Sequence, residues 1–266
     1  MSDDRERGMS ILLQDETDGV VTLTLNRPEA MNALSSELSR ELRAAIGELA
    51  QRPEVRVVII AGAGPRAFCA GADLKERRTL DADEKWEQRT RGWEVNEAIW
   101  RMPQPVIAAV HGYCLGGGFE LALYCDLRIA AEDAVFSFPE MTLGAYPGAG
   151  AAVVLPRLIG RGRAKEIFFT ARRVKADEAL SLGIVEHVVP PDRLLAKAHE
   201  IADAIKKSSP LGLAGIKQMM NFGADLPFEQ ANALNDALRR PLEGTQDYLE
   251  GITAFFEKRP ARFIGR

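Results

Sequence analysis

Apolar and polar residues alternate from Val20 to Leu25, with Val21, Leu23 and Leu25 on one face and Thr22 and Thr24 on the other. That period predicts a half-buried strand. Asn26-Arg27-Pro28-Glu29 ends it, and the period then becomes helical. Leu38, Leu42, Ala45, Ile46 and Leu49 form one stripe, Ser35 or Ser36 supplies a cap, and Pro53 marks the stop. Val55 to Ala61, Pro105 to Val110 and Asp126 to Ala131 are nearly continuous apolar runs, as strands covered on both faces would be. Buried strands separated by helices predict an α/β fold. From Asp192 the pattern is helical throughout. Leu194, Leu195, Ala198, Ile201, Ala202 and Ile205 share a face, and 211–222, 228–240 and 245–258 supply three further helices. The expected organisation is an α/β part over residues 1–200 and a helical part over 201–266. No low-complexity linker divides them, so they are expected to pack as one unit.

Composition narrows the class. The 266 residues are 46% hydrophobic and 27% charged, which is ordinary for a globular chain with a real core. A net charge of −4 argues against a dedicated nucleic-acid binder but leaves an anionic small ligand open. Cys69, Cys114 and Cys125 are an odd set, and the charged start of the chain lacks a secretory pattern; both predict a reduced, cytoplasmic setting. No run approaches the roughly 20 apolar residues of a membrane helix. His111, His187 and His199 are the only histidines, so a histidine-rich metal site is not expected.

Trp86, Trp93 and Trp100 recur every seventh residue and would stack on one helix face. Core packing accounts for Trp100; Trp86 or Trp93 could instead line an apolar ligand pocket. The densest glycine segment, Gly112-Tyr113-Cys114-Leu115-Gly116-Gly117-Gly118-Phe119-Glu120, joins a buried strand to a helix. Such a junction points backbone N–H groups at an anion or a developing oxyanion, and three consecutive glycines exceed what a turn needs. A second small-residue turn, Ala67-Phe68-Cys69-Ala70-Gly71-Ala72-Asp73-Leu74-Lys75-Glu76, follows the preceding strand. Two such turns at the ends of neighbouring strands can aim two donors at one oxygen, and one such donor is typically worth ~2.7–4 kcal/mol. Glu120 and Glu140 lie close by in apolar company, which tends to raise a carboxyl pKa toward neutrality. Singly, Glu120 reads as a helix N-terminal charge and Glu140 as a solvent-facing loop residue. As a pair beside two oxyanion-type turns they suggest proton transfer at a carbonyl compound.

Two competing motifs are present. Gly62-Ala63-Gly64-Pro65-Arg66-Ala67 imitates a dinucleotide fingerprint but opens no helix. Gly112-Tyr113-Cys114-Leu115-Gly116 imitates a nucleophile elbow with a cysteine, for which His187 or His199 would be the base. A cysteine hydrolase is therefore an alternative, although Cys114 reads more simply as a small buried residue.

Several segments, in order, resemble the enoyl-CoA hydratase/isomerase (crotonase) superfamily over nearly the whole chain. They are Asn26-Arg27-Pro28-Glu29-Ala30-Met31-Asn32-Ala33-Leu34, the Ala67 to Glu76 turn, and Pro105-Val106-Ile107-Ala108-Ala109-Val110-His111-Gly112 running into the triple glycine. Cys125-Asp126-Leu127-Arg128, Phe138-Pro139-Glu140, Gly144 to Gly150 and Phe255-Phe256-Glu257-Lys258-Arg259 follow. The resemblance implies a crotonase spiral of repeated ββα units, then a helical trimerisation region, with trimers commonly paired into a hexamer. It implies an acyl-CoA substrate whose thioester oxygen is held by the N–H groups of Ala72 and Gly117. Coenzyme A, entering as part of the substrate, would lie along the Asn26 to Ala33 loop (Ala30, Met31) and the turn Ala70, Asp73, Leu74 and Lys75. Gly116 would also contact the substrate, and Lys258 would come from a neighbouring subunit. No dissociable cofactor or metal is implied.

Hydratases of this kind carry two glutamates, and Glu120 and Glu140 match them. The implied reaction adds water across an α,β-unsaturated thioester. Glu120 helps hold and deprotonate the water, and Glu140 supplies the proton to the α-carbon. Isomerases generally keep one glutamate; other acyl-CoA lyases of the superfamily, and a non-catalytic acyl-CoA binder, are further alternatives. One departure stands out. Where hydratases often have Gly-Thr-Gln-Arg, Gly150 is followed by Ala151-Ala152-Val153-Val154. Acyl preference would depend on Trp93 and its helix, Tyr146 and this segment.

Overall fold

The computed structural model describes residues 10–266. β1 (Leu12–Thr17) and β2 (Val20–Leu25) form a hairpin across Asp18-Gly19, both left-handed, the geometry a two-residue hairpin turn requires. α1 (Ser36–Leu49) starts at Ser35, whose side chain accepts from the Leu38 N–H, and buries Leu38, Leu42, Ile46 and Leu49. Three ββα units follow. β3 (Val57–Gly62) and β4 (Ala67–Cys69) precede α2 (Leu74–Arg77) and α3 (Ala82–Arg101). β5 (Val106–Val110) and β6 (Tyr113–Leu115) precede α4 (Gly117–Tyr124). β7 (Leu127–Ala131) and β8 (Val135–Ser137) precede α5 (Ala151–Ile159) and α6 (Arg161–Thr170). Then come β9 (Val174–Lys175), α7 (Ala176–Leu182), β10 (His187–Val189) and α8 (Leu194–Ile205). The chain ends with α9 (Pro210–Gln218), α10 (Phe228–Arg239) and α11 (Gln246–Glu257).

The first strand of each unit joins a six-stranded sheet, β1-β2-β3-β5-β7-β10, parallel except for β1. The second joins a four-stranded sheet, β4-β6-β8-β9. This is the spiral of ββα units that the resemblance implies. Val57 to Ala61 and Val106 to Val110 are buried on both faces, which explains their unbroken apolar composition. One face packs on α1, α3, α4 and the second sheet. The other receives Leu194, Ala198 and Ala202 of α8 against Val57, Ile59, Ile107 and Ile129. The boundary expected near residue 200 thus falls inside α8, a helix that shares the sheet's core.

The last helices are tied back through Lys217. Its buried Nζ donates to Ile99 O (3.1 Å), Gln104 O (2.9 Å) and Asp126 Oδ2 (2.7 Å). Asp126 Oδ2 also accepts from the Val106 N–H, so the three Lys217 Nζ–H donors and this carboxylate oxygen are all paired. Among the described residues no helix is long and apolar enough to cross a membrane.

Candidate active site

The strand ends of two neighbouring units converge on a cavity of about 420 Å³. Ala70, Gly71 and Ala72 border it from the turn after β4, and Gly116 and Gly117 from the start of α4. The Ala67 to Glu76 turn is fastened by residues expected to lie along coenzyme A, which here hold the backbone instead. Buried Asn32 donates from Nδ2 to Ala63 O (2.9 Å) and Ala67 O (2.8 Å), and its Oδ1 accepts from the Arg27 N–H (2.9 Å). Arg27 donates to Ala33 O and pairs with Asp73 Oδ2 at 2.9 Å. Asp73 Oδ1 in turn caps α2 through the Lys75 and Glu76 N–H groups. On the opposite side of this turn, Leu34 N–H donates to Gly71 O and Asp73 N–H to Leu34 O, leaving the intervening Ala72 N–H directed away from that ladder.

The three glycines divide the work. Gly116 has φ +51°, and a Cβ there would collide with Glu140 Oε1, so only glycine lets that carboxyl approach. Gly117 starts α4, and a Cβ on it would lie 3.6 Å from the Ala72 nitrogen. The Ala72 and Gly117 N–H groups thus lie side by side at the cavity, and neither donates to an acceptor among the described residues. Gly118 is structural: it lets α4 close onto the Cys69 backbone.

Glu120 is buried in the first turns of α4, and its Oε1 accepts from the N–H groups of Ala149 (2.7 Å) and Ala151 (3.0 Å). Burial pushes its pKa from the usual 4.5 up to about 7; the two N–H bonds pull the other way, and the charge of Glu140 adds to the rise. Asn96 on α3 steadies this segment by donating to Ala149 O at 2.9 Å. Its one trace in the sequence is a polar residue at helical spacing between Val95 and Ile99. Glu140 stands in the short 3₁₀ turn Pro139–Leu143. It faces the cavity rather than bulk solvent, burial raises its pKa, and its Oε2 has no hydrogen-bond partner. Two carboxyls, both biased toward the neutral form, therefore flank one cavity beside two free amides. Such a set can polarise a carbonyl and move protons on the carbons next to it.

The other candidate residues distribute as follows. Leu74 and Tyr146 line the mouth. Trp86 is 65% exposed under the Arg89 guanidinium. Trp93 lies behind the wall: its ring meets Tyr124 edge-on at 6.0 Å and closes against Gly150. Ala30, Met31 and Lys75 do not line the cavity, although Met31 O accepts from the Ala70 N–H (3.0 Å). Asp73 spends its carboxylate on Arg27 and the α2 cap. Lys258 caps α11 away from the cavity. Of the departing segment, Ala151 touches Glu120 through its N–H, Ala152 and Val153 are exposed, and Val154 packs on the core.

The geometry does not favour Cys114 as a nucleophile. It is fully buried in β6, donates to Gly118 O, and burial holds its thiol well above the usual 9. His187 belongs to β10 in the other sheet. Among the described residues no group of three or more His, Cys, Asp or Glu could hold a metal ion. The glycines after β3 lead into β4, so the fingerprint's helix is not formed there.

Known proteins resemble the chain over almost its whole length. Residues 15–266 match the model of the family described as enoyl-CoA hydratase/isomerase. A crotonyl-CoA hydratase of Syntrophomonas wolfei is 41% identical over 257 residues, covering 97% of this chain and 98% of the relative. A short-chain-enoyl-CoA hydratase of Clostridium acetobutylicum is 40% identical over 250 residues, covering 94% and 95%. The crystal structure of an enoyl-CoA hydratase from Bacillus anthracis superposes with a TM-score of 0.95 at 41% identity, covering 97% of this chain and all of that one. The chain belongs to the enoyl-CoA hydratase/isomerase family.

Proposed function

We propose that this protein is an enoyl-CoA hydratase, adding water across the double bond of an α,β-unsaturated acyl-CoA. The observation that carries the reading is the pairing of Glu120 and Glu140 across one cavity from the Ala72 and Gly117 amides. In this reading the thioester oxygen accepts from both amides, which stabilise the enolate-like charge that builds up as water adds. Glu120 has one oxygen fixed by Ala149 and Ala151, so its other oxygen is available to hold the water and take its proton. Glu140 delivers a proton to the α-carbon, and the burial that raises its pKa favours the proton-bearing form. Coenzyme A leaves past Ala70 and Leu74, and no dissociable cofactor takes part. The presence of both carboxyls favours hydration over the isomerisation that a single glutamate serves.

The reading includes a cytoplasmic setting and self-association as a trimer or dimer of trimers. Exposed Phe228, Phe255 and Phe256 on the last helices support the latter. Loss of the conjugated enoyl-thioester absorbance with crotonyl-CoA tests the chemistry in wild type, Glu120→Gln and Glu140→Gln. Rapid loss in wild type and a deep loss of rate in both variants is expected. Activity untouched by either substitution would refute the two-carboxyl mechanism.

A further inference from the structure

Arg89 lines the cavity from α3, yet it forms no ion pair and no hydrogen bond with any described residue. Its position is nonetheless defined at two points. A side chain at Gly148 would meet Arg89 Cγ at 3.0 Å and Nε at 3.4 Å, so the arm packs on the chain directly before Ala149. Its guanidinium carbon stands 4.9 Å from the centre of the Trp86 ring, which itself is largely exposed. A guanidinium held over an indole face is drawn to the ring while its N–H groups stay free, and free guanidinium N–H groups suit a two-point bond with a carboxylate.

The placement along the cavity identifies the occupant. On the hydratase reading, on which this inference rests, the β-carbon of the acyl group stands beside the water held by Glu120. The Ala149 N–H fixes Glu120, and Gly148 precedes Ala149. Atoms beyond the β-carbon therefore run toward Gly148, Gly92 and Arg89, whereas the coenzyme A arm leaves on the other side, past Ala70 and Leu74. An uncharged acyl tail would strip water from an unpaired cation without replacing its hydrogen bonds; an anionic tail would replace them.

We propose that Arg89, held over Trp86 and seated on Gly148, selects acyl-CoA thioesters whose acyl group ends in a carboxylate one or two bonds beyond the β-carbon. The residue acts on specificity, reading the distal end of the substrate while the two glutamates act at the double bond.

The test is calorimetric binding of two saturated ligands of equal shape, 4-carboxybutanoyl-CoA and 5-methylhexanoyl-CoA, in which an isopropyl group replaces the carboxylate. Wild type is expected to bind the carboxylated ligand at least about tenfold more tightly, as a charge-assisted bond implies. Arg89→Met should lower that ratio at least about tenfold, and Arg89→Lys should retain part of it. Equal weakening of both ligands and of free coenzyme A by Arg89→Met would overturn the proposal, because Arg89 would then be reading the coenzyme A phosphates. A wild type that prefers the branched ligand, or binds the two alike, would overturn it too. Circular dichroism of Arg89→Met checks that the fold persists, and the lysine variant keeps the test decisive if it does not. Binding needs no turnover. A wild type that shows the binding preference but hydrates neither corresponding 2-enoyl thioester would refute the hydratase reading and leave the selectivity of Arg89 standing.

Discussion

Replacing Glu120 by glutamine should make the protein more stable at alkaline pH, and by an amount the structure sets. Glutamine keeps an oxygen that can accept from the Ala149 and Ala151 N–H groups, so the local scaffold survives while the titration disappears. The native carboxyl is raised from the usual 4.5 to about 7 by burial, against the pull of those two N–H groups. A raised carboxyl pKa means the native state holds its proton more tightly than the unfolded chain does. The contribution is therefore fully present below the unfolded value and is lost as pH rises through the folded one. At about 1.4 kcal/mol for each tenfold in proton affinity, the native protein gives up about 3 kcal/mol over that range. Urea unfolding of both proteins at matched concentration, from about pH 5 to about pH 8.5, reads Glu120 together with its coupling to Glu140, the remaining titrating groups being common to both. The stability of Glu120→Gln relative to wild type should climb by about 2.5 kcal/mol across the series, because at pH 5 the unfolded carboxyl is already mostly ionised. Parallel profiles would refute the claim that burial holds this carboxyl near neutrality, and with it the claim that Glu120 exchanges a proton cheaply at working pH.

Gly116→Ala should cut kcat on the order of a hundredfold with KM little changed, because the added methyl displaces Glu140 Oε1 from its working position; steady-state hydration kinetics would check it, and unchanged kcat would show that Glu140 need not stand there. Asn32→Ala leaves the Ala63 and Ala67 carbonyls and the Arg27 N–H without partners and should cost at least about 2 kcal/mol in urea unfolding. A stability change within error would mean that the loop does not depend on it. Cys114→Ala should leave turnover in place, and the buried thiol should resist alkylation in the folded protein. A loss of several orders of magnitude, the mark of a removed nucleophile, would reinstate the hydrolase reading.

The larger strands and helices were legible because their periods are long enough to register. Val20 to Leu25, the stripe from Leu38 to Leu49 and the run at Val106 to Val110 each span a full element. The four-stranded sheet was not, since its strands have only two or three residues and no alternation can be read from so few. β1 escaped for another reason: it is an edge strand with both faces largely exposed, so nothing selects apolar residues for it. At the site, Glu120 and Glu140 were visible as carboxylates in apolar company, and the glycines as an excess over what a turn needs. The residues that brace them, Asn32, Arg27 and Asn96, act over separations of 31 to 53 residues through single side chains, which leave no local pattern. The tryptophan spacing was a true helical signal, but it could not tell a ring facing the ligand from one behind the wall, which is where Trp93 lies.

The contacts of Lys217 impose an order of events on biosynthesis. Asp126 sits at the turn into β7, in the middle of the chain, and its cationic partner is made 91 residues later. Until that lysine has left the ribosome, the carboxylate must stay hydrated, and the ends of α3 and the approach to β5 lack the donor that closes their carbonyls. The six-stranded sheet can begin to assemble during synthesis but cannot seal this corner early. A truncation within residues 206–216 would therefore release a chain whose central strands are present but whose Asp126 carboxylate and Ile99 and Gln104 carbonyls lack their donor, a form exposed to chaperones and proteases.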